Sequence, residues 1–171
     1  PGFTDLHTGQ DVRKGRLGSV YAVADFYELD PELVTPPEEA DLAALAAADL
    51  LREADVADVW DRFAQPAGCT TTRPELRDLV EAGGPLAVSL WGRQCLLQLV
   101  GRAELRQLTR RAHELGKRVI FDLVLMQTSR DSALITQHPE WYVLDDKGRP
   151  EIHRIAWLVY SDVALFDLQG N

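Results

Sequence analysis

Positive charge and cysteine are both scarce in this chain, and each scarcity closes off a class of function. Lys and Arg number 18 against 27 Asp and Glu, a net charge of −9. A surface so short of cations has little electrostatic footing for a nucleic-acid backbone or an anionic membrane. No apolar run approaches the roughly 20 residues of a membrane span, and the N-terminus shows no basic-then-apolar leader pattern. A cytoplasmic location is therefore expected. The two cysteines, Cys69 and Cys95, lie far apart with no CxxC or Cys/His ligand spacing, and His7, His113, His138 and His153 lack an HxxxH pattern. Reduced structural thiols, no metal and no cofactor are the expectation. GxSxG, Walker A and GxGxxG patterns are absent, which removes the usual hydrolase elbow and nucleotide-binding loops.

What is present is an ordinary globular composition, 46% apolar over 171 residues, enough for one core. Residues 1–19 carry no apolar period and are expected to be an extended loop, followed by a strand-like piece over 21–27 and a turn at Asp30-Pro31. Pro36-Pro37-Glu38-Glu39 fits a helix start, and Leu42, Leu45, Ala46 and Leu50 support an amphipathic helix over 38–52. A short helix is expected over 56–63, a loop over 66–72, and a helix capped at 72–75 that runs to Glu81 and stops at Gly83-Gly84. Residues 85–100 are apolar without a period that chooses between strand and helix. A strong helix follows over 103–115, ended by Gly116, then the run Val119-Ile120-Phe121-Asp122-Leu123-Val124-Leu125. That order of helix, glycine and continuous apolar run predicts an α/β unit whose strand is buried on both faces in a parallel sheet.

Asp122 draws attention because it places a carboxylate inside the most apolar run of the chain. An unpaired charge there is costly, so the residue must find partners or face a polar site. Gln127 to Asp131 follow as a polar loop, the place where (β/α)8 barrels carry their sites. Asp122 held by an arginine purely to fix a loop is the competing reading. Tyr21, Phe26 and Tyr27 could offer aromatic faces to a sugar ring, although such residues more often belong to a core.

Taken in order, several stretches resemble the α-amylase family, glycoside hydrolase family 13. Residues 18–33, ending Asp30-Pro31-Glu32-Leu33, are similar to the family's tyrosine segment and the turn after it; 103–124 resemble the helix and third barrel strand; Thr128-Ser129-Arg130-Asp131-Ser132 with His138-Pro139-Glu140-Trp141-Tyr142 resembles the loop that follows; and 162–168 resemble the run-in to the fourth strand. The resemblance implies an α/β fold: a partial TIM (β/α)8 barrel fragment, made of 1–35 and 102–171, with a mainly helical insertion over 36–101. It places Tyr21, Asp122 and Gln127 in the wall of subsite −1. Where the family reads Asp-x-Val-x-Asn-His, this chain reads Asp122-Leu123-Val124-Leu125-Met126-Gln127. Met126 thus stands for a frequent calcium ligand and Gln127 for a sugar-binding histidine, as in maltosyltransferase-like members that also lack the Asn-His pair.

The resemblance further implies an α-glucan or maltooligosaccharide partner and a retaining glycosidase or glucanotransferase parent. Retaining enzymes use two carboxyl groups about 5 Å apart, and in the family these follow barrel strands that this chain is not expected to contain. The catalytic set is therefore expected to be none, and the isolated chain to be inactive with exposed apolar surface. A non-catalytic carbohydrate-binding or scaffold protein on a degenerate barrel is the alternative, and an interaction role for 36–101 is a third reading.

Overall fold

The computed structural model describes residues 5–8, 12–17, 19, 21–63 and 72–168. Helices and strands are both present, and the chain divides into two compact units: Pro1–Leu6 with Pro31–Val119, and His7–Asp30 with Ile120–Asn171. The expected loop over 66–71 and Cys69 lie outside the described residues.

The first unit is helical. Asp41 accepts the Ala44 N–H at 2.9 Å and starts α1 (Leu42–Ala47), which stops after six residues because Asp49 turns into the left-handed region at φ 55°. The long helix expected over 38–52 is thereby cut to its middle. The chain then enters α2 (Glu53–Phe63), whose apolar face carries Val56, Val59 and Phe63. In α3 (Leu76–Ala82), Glu75 and Asp78 form a reciprocal capping box, and Gly83 at φ 66° ends the helix, as the local signals indicate.

Residues 84–114 resolve the ambiguous apolar stretch as two helices, α4 (Gly84–Trp91) and α5 (Arg93–Glu114), separated by Gly92 at φ 92°. Cys95 to Gly101 is buried on every side of α5. A helix wrapped by apolar contacts loses the polar stripe from which a period is read. The core gathers Leu42, Val56, Leu79, Trp91, Leu96 and Leu99 from all five helices. Cys95, fully buried there, is disulfide-bonded rather than a reduced thiol, which corrects that expectation.

The strands form two-stranded pairs. β1 (Asp5–Thr8) pairs with β4 (Arg118–Phe121). In the second unit β2 (Val12–Lys14) runs antiparallel to β3 (Val23–Leu29), so residues 12–14 are a strand where a loop was expected. β5 (Gln127–Ser129) and β8 (Val163–Leu165) are likewise antiparallel, as is the hairpin of β6 (His153–Ile155) and β7 (Leu158–Tyr160). α6 (Leu134–Gln137) is a single turn between them. β8 is flanked on its other edge by the chain at 141–143, through Val143 N–H to Leu165 O at 3.1 Å and Asp167 N–H to Trp141 O at 2.8 Å. Tyr142, buried, seals this layer with its ring 4.9 Å from Phe166.

One expectation is reversed. The apolar run after Gly116 is not buried on both faces: Ile120 is 45% exposed, Leu123 54% and Leu125 65%. Its regular part ends at Phe121, and residues 122–125 are irregular. That regular part has β1 as a paired neighbour, yet Ile120 and Phe121 stay exposed, so strand pairing alone does not cover the two faces that the helices and interior of a (β/α)8 barrel cover.

Candidate functional site

Tyr21, Asp122 and Gln127 all belong to the second unit. Tyr21 precedes β3 and is 57% exposed. Gln127 opens β5, whose main chain is fixed by the β8 ladder, so its side chain has a rigid base. From there the Gln127 Nε2 donates to the Tyr21 main-chain carbonyl at 3.0 Å. Two residues separated by 106 positions are thus joined, and the bond holds the backbone of Tyr21 while leaving its phenol ring exposed to solvent.

Asp122 does not behave as a buried strand carboxylate. It lies one residue past β4, partly exposed, and among the described residues makes neither a hydrogen bond nor an ion pair. The demand for a partner rested on burial, and water supplies that role where the strand is open. Phe26 is half-buried and Tyr27 is exposed on β3, with the Tyr27 N–H donating to Asp25 Oδ1 at 2.7 Å.

The polar stretch after Gln127 is structural in its first half. Thr128 and Ser129 are buried in β5, and the Thr128 hydroxyl meets the Tyr142 phenol at 3.1 Å. Burial pushes the Tyr142 phenol above its ordinary value, with the Thr128 hydrogen bond acting the other way. Asp131 accepts from Arg16 at its N–H (3.2 Å) and Nε (3.3 Å), closing the turn onto residues 15–16. Gly15 packs so closely that a Cβ there would stand 2.3 Å from that of Ser129. Arg130 points its guanidinium at main-chain carbonyls of Pro150 (2.8 Å) and Glu151 (3.2 Å).

His138 stacks flat on Trp141, ring centroids 3.8 Å apart, and its Nδ1 lies 3.2 Å from Glu140. Trp157, 84% exposed in the turn of the β6–β7 hairpin, offers another aromatic face that no periodicity marks. The preceding Ala156 sits at φ 53°, a turn conformation unusual for a residue with a side chain. Among the described residues no group of three His, Cys, Asp or Glu could hold a metal ion, and no helix is long and apolar enough to cross a membrane.

No family profile matches the chain, and no curated protein matches it. Among solved structures, the chain is similar to an α-amylase from Lactobacillus plantarum at 23% identity and a TM-score of 0.41, covering 96% of this chain and 22% of that one. It is also similar to a noncanonic maltogenic α-amylase, AmyB, from Thermotoga neapolitana at 22% identity and a TM-score of 0.41, covering 95% and 22% respectively. The chain therefore spans 22% of the length of either structure.

Proposed function

We propose that this chain forms part of an α-glucan-active retaining glycosidase or glucanotransferase, supplying a wall of subsite −1 through Tyr21, Asp122 and Gln127 and no catalytic carboxylate of its own. The observation that carries the reading is the Gln127 to Tyr21 hydrogen bond, which joins two of the three residues singled out by the motif order. In this reading each residue has a role. Gln127 fixes the Tyr21 main chain, and the exposed Tyr21 ring presents an apolar face to the C–H side of a pyranose. An amide in place of the family's histidine keeps a donor and an acceptor without a titrating proton. Glucan contact at this point is therefore independent of pH near neutrality. In this reading residues 36–101 are an inserted helical subdomain.

The second reading, a carbohydrate-binding protein without catalysis, is favoured by Met126 and Gln127 standing where the family carries Asn and His. Titration calorimetry with maltotetraose, paired with a turnover assay on maltoheptaose, tests both. Saturable binding by the chain, weakened in Tyr21→Ala and Gln127→Ala, is the expected result; absence of glucan binding would overturn the glucan assignment. If a longer protein carrying this segment turns over maltoheptaose and Gln127→His shifts its hydrolysis-to-transfer ratio, the enzyme is supported over the binding protein.

A further inference from the structure

A second set of side chains in the same unit has no place in the glucan reading. Arg130, Arg149 and Arg154 line an open pocket of about 430 Å³, with Asp145 and Glu151 as the acids at its edge. Three guanidinium groups in one pocket are unexpected in a chain with a net charge of −9.

The charges there are not balanced internally. Asp145 is fully engaged: its Oδ1 accepts the Lys147 and Arg149 N–H groups, both at 2.9 Å, and its Oδ2 accepts Arg149 Nε at 3.0 Å and Nη2 at 2.8 Å. Those four bonds fill the acceptor sites of a carboxylate, so Asp145 neutralises Arg149 and nothing else. Arg130 is half-buried, and its acceptors are the main-chain carbonyls of Pro150, Glu151 and Val163, which orient the guanidinium without cancelling its charge. Arg154, exposed on β6, makes no hydrogen bond or ion pair among the described residues. Against these two unneutralised cations stands the carboxylate of Glu151, itself without an ion pair among the described residues.

From this imbalance we infer that the pocket is an anion site that takes a phosphate group. A guanidinium held in place by carbonyls is a pre-oriented fork, and such forks pair with phosphate oxygens in bidentate fashion. Arg130, with three of its five N–H donors on carbonyls, supplies the remaining two from Nε and Nη2, Arg154 an exposed charge, and Arg149 its remaining Nη1 donors. Glu151 opposes the anion, setting modest affinity and favouring a ligand that brings more than one negative charge.

Inorganic phosphate, titrated into the 171-residue chain at low salt and followed by calorimetry and by phosphorus NMR line broadening, is the direct test. Saturable binding is expected, weaker by about tenfold in Arg154→Gln, the loss of one charge-assisted contact, and tighter in Glu151→Gln. Both positions are exposed, so thermal melts of the variants should match the parent. A parallel arm with glucose 6-phosphate and unmodified glucose identifies the source of the group. Tighter binding of the ester points to a phosphorylated sugar, equal binding to free phosphate, and either supports the site. No saturable phosphate binding, or equal affinity in the parent and in Arg154→Gln, overturns the inference.

Discussion

The Arg106 guanidinium holds Asp55 with two bonds, Nη2 to Oδ1 at 2.7 Å and Nη1 to Oδ2 at 3.0 Å, tying α5 to the start of α2. Asp55 Oδ2 also accepts the Arg52 N–H at 2.9 Å, and Arg106 reaches the Leu50 carbonyl, so one pair organises the left-handed turn that separates α1 from α2. Both side chains are largely withdrawn from water, at 29% and 11% exposure. Removing one member strands the other's charge. Arg106→Met is expected to lower unfolding stability by about 3 kcal/mol, read from the urea midpoint of the helical unit. A cost below about 1 kcal/mol would show the pair to be an ordinary surface contact.

Acid acts on a neighbouring contact. The Asp58 carboxyl is held below its ordinary 3.8 by its hydrogen bond to Arg102, with Arg62 adding to the effect. A carboxyl depressed in the folded state contributes stability that is complete above the unfolded value and is lost as pH falls through the lower folded value. The midpoint should therefore decline below pH 3.8, and Asp58→Asn should remove part of that decline. The alkaline limb has the opposite origin. Burial holds the Tyr142 phenol above 10.0, so the unfolded chain loses its proton first and stability falls as pH rises beyond that value. Tyr142→Phe should flatten this limb, measured by melts across pH 9 to about 11.

How much of this was legible depended on whether the signal was local. Gly83 ends α3 where the sequence pattern places the stop, a signal carried by one residue, whereas the helix starts at the far end of the expected 72–75 cap, with Glu75 boxed by Asp78 from inside the first turn. Asp49 breaks the expected helix over 38–52 in a turn whose Leu50 carbonyl and Asp55 carboxylate are held by Arg106, 56 and 51 positions away, a partner that no window around Asp49 contains. β5 was hidden for a related reason: Gln-Thr-Ser has no apolar alternation, and its pairing depends on Val163, Ala164 and Leu165. The run at 119–125 shows the converse, since high apolarity predicts burial only if neighbours exist to cover it. In the candidate site, motif order singles out Tyr21 and Gln127. It does not reveal their hydrogen bond, because that bond uses a main-chain oxygen that carries no sequence mark.

Gly84 illustrates a close approach. A Cβ built there would lie 2.5 Å from the Glu38 carbonyl oxygen, a main-chain atom with little room to yield. Gly84→Ala is expected to cost about 1–3 kcal/mol by overpacking, whereas Gly148, with no atom within 4 Å but φ 70°, should lose less on the same change. Comparing the two midpoints separates steric contact from backbone conformation; equal losses would mean that residue 38 moves aside freely.

The disulfide at Cys95 carries the last prediction. Cys95 is fully buried near the start of α5, and Cys69 is the other cysteine in the sequence. A crosslink narrows the unfolded ensemble, commonly by about 2–4 kcal/mol, so reduction should lower the urea midpoint by that amount and Cys95→Ala should reproduce the loss. Thiol titration of the protein unfolded without reductant should find no free thiol. Disulfides persist in oxidising compartments and are rare in the reducing cytosol, so the same titration bears on location. Protein kept under cytosolic reducing potential should show the lower midpoint, and protein passed through an oxidising compartment the higher one. If two free thiols titrate in both preparations, the crosslink is rejected and the reduced pair expected from the cysteine spacing is restored.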